Sequence, residues 1–134
     1  MSERRVSERP DVPAPGSTTV ERAAALVDLI EVRVPLADAI RGVRRWPWDS
    51  AEPLVLLDRR AVVSALQRYH SGELTAADLE TWADAIEGRD DIGFAPARAE
   101  QLTQFLFETA NPSLAVAMSD EHASSWLARL TGPT

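Results

Sequence analysis

The sequence contains no cysteine and no lysine. Without cysteine there is no disulfide, no zinc thiolate centre, no iron–sulfur cluster and no thiol nucleophile. Without lysine there is no Schiff base and no P-loop ammonium to hold a nucleotide phosphate. All 14 basic residues are arginine. With its abundant alanine, this is the composition of a GC-rich bacterial coding sequence.

Long hydrophobic runs are missing as well. The longest apolar stretch, residues 23–27, is stopped by Asp28, far short of the roughly 18–20 apolar residues that cross a bilayer. Arg4, Arg5, Pro10, Asp11, Pro13 and Pro15 are followed by no apolar run of about 7–15 residues, so no secretory signal is read there. Lack of cysteine fits the cytoplasm, and a cytoplasmic protein without a membrane span is expected.

What remains is a chain of 134 residues, 45% apolar, with a formal charge of −7. That length is one domain with a modest core. Residues 1–17 are charged and proline-rich and lack apolar periodicity, so they read as a disordered tail. Residues 18–35 read as an N-terminal helix. Val20, Ala23, Ala24, Val27 and Ile30 stand at helical spacing, one of Ser17, Thr18 or Thr19 serves as cap, and the helix runs to about Glu31. The end of this segment, residues 30–34, alternates as a strand would, and Pro35 stops either element.

From residue 36 to 131 the pattern is helical. Leu36, Ala39, Ile40 and Val43 share one face of a helix over 36–45. Residues 54–57 are apolar but too few to establish a strand. Asp58 caps a helix over 59–70 that has Val62, Val63, Leu66 and Tyr69 inward, and Gly72 takes the left-handed position after it. Thr75 and Asp78 form a capping box for a helix with Leu79, Trp82, Ala83 and Ile86 on one face. Residues 89–96 read as a loop. A helix over 97–110 carries Leu102, Phe105 and Leu106 inward. Ser119 caps the last helix, whose face is Ala123, Trp126, Leu127 and Leu130. The fold class is all-α, a small irregular or orthogonal bundle of about five to six helices, since no heptad pattern persists.

Four phrases carry a resemblance: Trp46-Pro47-Trp48-Asp49-Ser50, residues 66–75, residues 82–94, and Ala110-Asn111-Pro112. In their order they resemble a family of small uncharacterised bacterial helical proteins, over roughly residues 36–131. Residues 82–94 are the most specific part. The resemblance implies the helical fold and assigns no activity, so no catalytic residue follows from it.

The chemistry-bearing residues are few. His70 and His122 are the two histidines, and no metal-ligand spacing surrounds them, so each reads as structural. Asp84, Glu87, Asp90 and Asp91 form the most suggestive group, but not at the spacing of a calcium loop. Arg89 among them can pair with Glu87 or cap a carbonyl. Trp82 and Trp126 read as core, whereas Trp46 and Trp48 flank Pro47 in a loop that either folds back or stands out as an aromatic anchor. Residues 41–68 hold six arginines against three acids, and residues 73–94 hold seven acids against one arginine. The overall negative charge opposes nucleic-acid binding despite Arg41, Arg44, Arg45, Arg59, Arg60 and Arg68. No nucleotide or hydrolase signature occurs, and no serine has neighbours in sequence that suggest a triad.

The expectation is a non-catalytic, acidic protein-interaction module without cofactor or metal. Its partner is a protein, a basic one by charge, met by Trp46, Trp48, Asp84, Glu87, Asp90 and Asp91. An immunity-like or antitoxin-like inhibitor is the concrete version. The alternatives are an accessory or regulatory subunit of a bacterial complex and a metal-dependent enzyme built on the carboxylates. Oligomeric state is not legible.

Overall fold

The structure, a computed structural model, describes residues 15–132, with side chains from residue 18. In chain order it contains α1 (Pro15–Glu31), α2 (Leu36–Val43), β1 (Val55–Leu57), α3 (Arg59–His70), α4 (Ala76–Ile86), β2 (Ile92–Phe94), a 3-10 turn (Pro96–Arg98), α5 (Ala99–Ala110) and α6 (Asp120–Thr131). The chain is a predominantly helical bundle. No helix among the described residues is long and apolar enough to cross a membrane.

The helix ends follow the local chemistry. The Asp58 side chain accepts from the Ala61 N–H, and the Ser119 hydroxyl accepts from the His122 N–H, each supplying one of the donors a helix start leaves unpaired. Thr75 and Asp78 form the reciprocal capping box. Gly72 follows the α3 C-cap at φ +87°, the left-handed position that glycine takes without a Cβ clash. α1 is described from Pro15 and is already helical at residues 17–19, so none of those three residues caps it. Of the expected tail, residues 15–17 are therefore helical, and residues 1–14 lie outside the described residues. The strand-like alternation after Ile30 is a helix end. Val32 takes φ +48°, with its N–H on the Leu29 carbonyl at 3.2 Å and the Arg33 N–H on the Asp28 carbonyl at 3.0 Å. This is the paired bonding of a Schellman end, in which a β-branched residue holds the position glycine usually takes.

The inward face of α1 differs from the expected stripe. Of that stripe Ile30 is buried as expected, but Val20 is 67% exposed, and Leu26 and Leu29, outside it, are buried. The true stripe is Arg22, Leu26 and Leu29, an i, i+4, i+7 set whose first member is a charged residue that pairs inside. The remaining helices bury the faces expected of them, with Leu79, Trp82, Ala83 and Ile86 of α4 all in the core and Leu36, Ile40, Val63, Tyr69 and Leu127 packed at its margin.

The two short strands are the main departure from an all-helical reading. β1 and β2 pair in parallel, with Val55 opposite Ile92, Leu56 opposite Gly93 and Leu57 opposite Phe94. The intervening crossover is α3 and α4, as a parallel pair requires. Strands of three residues carry no usable period, and their partners lie 37 positions apart in the chain.

Helix packing is most extensive between α4 and α5, then between α1 and α2 and between α3 and α6. At the centre Phe105 of α5 stands edge-on to both buried tryptophans, 6.5 Å from Trp82 and 5.2 Å from Trp126 between ring centroids, the arrangement ring quadrupoles favour. The Trp82 indole N–H donates to the Leu29 carbonyl at 2.9 Å. The Trp126 indole N–H is buried with no partner among the described residues. Trp82→Phe should therefore destabilise more than Trp126→Phe, by about 1 kcal/mol, the usual net worth of one hydrogen bond. Denaturant titration of the two variants measures the difference, and equal losses would contradict it.

Candidate functional site

Asp91 immediately precedes β2 and is fully buried. Arg89 grips it side-on, Nε to Oδ1 at 2.9 Å and Nη2 to Oδ2 at 3.0 Å. Arg22 of α1 reaches the same carboxylate, Nε to Oδ2 at 3.0 Å, with Nη2 2.9 Å from that oxygen. Burial by itself raises the Asp91 carboxyl, but hydrogen bonds and charge from Arg89 and then Arg22 outweigh it and hold it below the ordinary carboxylate value. The guanidiniums have further N–H groups to place. Arg22 Nη2 donates to the Pro47 carbonyl at 2.9 Å and the Asp49 carbonyl at 3.0 Å, and Arg89 Nη2 donates to Pro47 at 3.1 Å.

This network fixes the tryptophan loop. The Asp90 N–H donates to the Trp48 carbonyl at 3.0 Å. The Arg89 guanidinium lies 5.5 Å from the Trp48 ring centroid, within cation–π range. Gly88, at φ +87°, passes so close to the ring that a Cβ there would come within 3.3 Å of it. Trp48 is nonetheless 52% exposed. Trp46 is half-buried, with the Arg45 guanidinium 5.7 Å from its ring centroid, and α2 ends at Val43, two residues earlier than expected.

The acidic group divides. Asp84 and Asp90 are exposed and Glu87 is half-exposed. Asp91 is a correction to the expected surface, because two arginines neutralise it inside the molecule and its oxygens are engaged by them. Arg89 pairs with Asp91, not Glu87, and does cap a carbonyl. Glu87 instead receives the side-chain amide of Asn111, the residue that ends α5, at 3.4 Å. Segment 89–96, expected as loop, is a turn followed by β2.

The six arginines of residues 41–68 are not one free patch. Arg59 donates to the Leu130 carbonyl at 3.2 Å, Arg68 donates to the Val32 carbonyl at 2.8 Å, and Arg41 pairs with Asp38. No group of three or more His, Asp or Glu side chains capable of holding a metal ion is found among the described residues.

One constellation is absent from the linear reading. The His70 imidazole, at the end of α3, lies along α6. Its Nε2 is 3.3 Å from Ser124 Oγ, and its Nδ1 is 3.4 Å from Asp120 Oδ1. Asp120 and Ser124 are an i, i+4 pair on one face of α6, which the sequence does display. That His70, some fifty residues earlier, packs against them is not legible there. His122 faces Glu108 of α5 at 3.8 Å.

No protein-family model, curated protein or solved structure matches this chain.

Because its carboxyl is held below the ordinary value, Asp91 contributes stability that is full above the unfolded pKa of about 3.9 and is lost as pH falls through the lower folded value. Asp91→Asn, which leaves two inward guanidiniums without their charge partner, should cost roughly 3–5 kcal/mol near neutral pH. The wild-type protein should lose stability more steeply than the variant below about pH 4. Thermal melts across pH 3–7 compare the two, and parallel curves would refute the assignment.

Proposed function

We propose that this protein is an acidic protein-interaction module that binds a basic partner protein through a face, itself non-catalytic, formed by Trp48, Asp49, Asp84, Glu87 and Asp90. The observation that carries the reading is the state of Trp48. A large aromatic ring stands half in solvent, yet its backbone is bonded to Asp90, its face is covered by Arg89, and its loop is fixed by Arg22. An anchor that is already ordered avoids much of the entropy an interface must otherwise spend on side chains and loops. Tryptophan in such a setting is the residue type that dominates binding energy.

The acids around it supply a different quantity. Exposed carboxylates contribute modest net affinity, but their field steers a cationic surface toward the face and is screened over roughly 8–10 Å at physiological salt. The net charge of −7 reinforces that sign. Within this class, an inhibitor of immunity-like or antitoxin-like kind fits a small acidic domain whose target is a basic enzyme. The structural support for that finer reading is the preformed anchor with its acidic surround.

The test uses the full chain immobilised against a bacterial host extract. A basic protein should be retained whose association slows as salt rises. Trp48→Ala should weaken its binding by about 2 kcal/mol or more, the size of an anchor residue. Joint reversal of Asp84, Glu87 and Asp90 to Arg should slow association and flatten the salt dependence while the melting temperature is kept. If retention is indifferent to both variants, this face is not the interface and the reading fails.

A further inference from the structure

We propose that Ser124, His70 and Asp120 form a nucleophilic serine site that cleaves activated acyl esters at the junction of α3 and α6. The inference is independent of the acidic face and uses none of its residues. It stands on the order of the contacts. A single imidazole has a serine hydroxyl at Nε2, 3.3 Å away, and a carboxylate at Nδ1, 3.4 Å away. These are the nucleophile, base and orienting group that acyl transfer requires, each at the ring atom its role demands. The separations are slightly longer than a tight hydrogen bond, as such contacts often are before substrate is bound.

The elements hold this arrangement for reasons of their own. Asp120 opens α6 after its Ser119 cap and Ser124 follows one turn later, so both side chains project from one face. His70 is the last residue of α3, which packs on α6. With the ring hydrogen on Nδ1 directed at Asp120, the Nε2 lone pair faces the Ser124 hydroxyl.

The reaction closes with its atoms accounted for. Ser124 Oγ attacks the acyl carbon of an ester while its proton passes to His70 Nε2. The bond from the acyl carbon to the leaving oxygen breaks, and His70 returns the proton to that oxygen. Water then attacks the seryl ester in the same way, releasing the carboxylic acid and restoring the hydroxyl.

The surroundings set the substrate class. The Asp120 side chain is 81% exposed and the His70 side chain 30% exposed, so water screens the pair. The ester must therefore bring a good leaving group, an aryl ester for example. Asp120 is a positioning residue here, and Ser124 and His70 are the catalytic ones.

The full chain is treated with a fluorophosphonate ester and, separately, with p-nitrophenyl acetate. Peptide mass spectrometry should place the phosphonyl adduct on Ser124, and nitrophenolate release should vanish in Ser124→Ala. His70→Gln and His70→Ala should each slow adduct formation by more than about tenfold, since a positioned general base supplies about 10²–10⁴-fold. Their circular-dichroism melts should match the wild type. Asp120→Asn should slow the reaction and Asp120→Glu restore it, which a purely structural charge at the helix start would not do while stability is unchanged. The proposal is overturned by the absence of an adduct on Ser124, by adduct rates within about tenfold of wild type in both His70 variants, or by ester hydrolysis that persists in Ser124→Ala.

Discussion

The carboxylate of Asp91 is a charge removed from water, and the molecule around it is arranged to answer that cost. Isolated burial of a carboxylate is prohibitive in a medium of low polarity. Two guanidiniums meet it from different parts of the chain, one from α1 and one from the turn before β2. Their spare N–H groups then bind the carbonyls of residues 47 and 49. The Asp91 carbonyl accepts from the Leu54 N–H at 2.8 Å and the Val55 N–H at 3.3 Å, which aligns the start of β1. One residue thus ties together α1, the tryptophan loop and both strands.

This use of arginine recurs across the fold. Arg59 and Arg98 bind carbonyls of the last turn of α6, at Leu130 and Arg129, Arg98 also binds that of Gly132 just past the helix, and Arg68 binds the carbonyl of the left-handed Val32. A planar fork with five donors can serve several acceptors at fixed angles, which the single ammonium of lysine cannot. A chain whose basic residues are all arginine has put many of them to structural use, which is why the apparent basic stretch of residues 41–68 is not a continuous free surface.

The same bonding that fixes the interior presents Trp48 to solvent in a set position. That ordered, half-exposed ring is the anchor of the proposed contact face, and its rigidity derives from Arg22 and Arg89 behind it. The opposite use of buried aromatics occurs at the centre, where Phe105 and the two tryptophans fill the core and leave their edges facing each other's rings.

Local chemistry was legible in the sequence wherever a helix face or a cap lies within a few residues. The capping box at Thr75, the caps at Asp58 and Ser119, the glycine after α3 and the core stripe of α4 each depend on spacings of four residues or fewer, so composition and period determine them. The sequence also determined the absence of thiol and amine chemistry. What only the tertiary structure decided are the contacts between distant positions. It turned Arg22 inward to make the first member of the α1 stripe, buried Asp91 instead of leaving it with Asp84, Glu87 and Asp90, paired β1 with β2, and brought His70 to Asp120 and Ser124. Each of these depends on which face meets which across gaps of 37 to 69 residues, and no local period encodes that meeting, because the free energy that selects it comes from desolvation and packing of the whole chain at once.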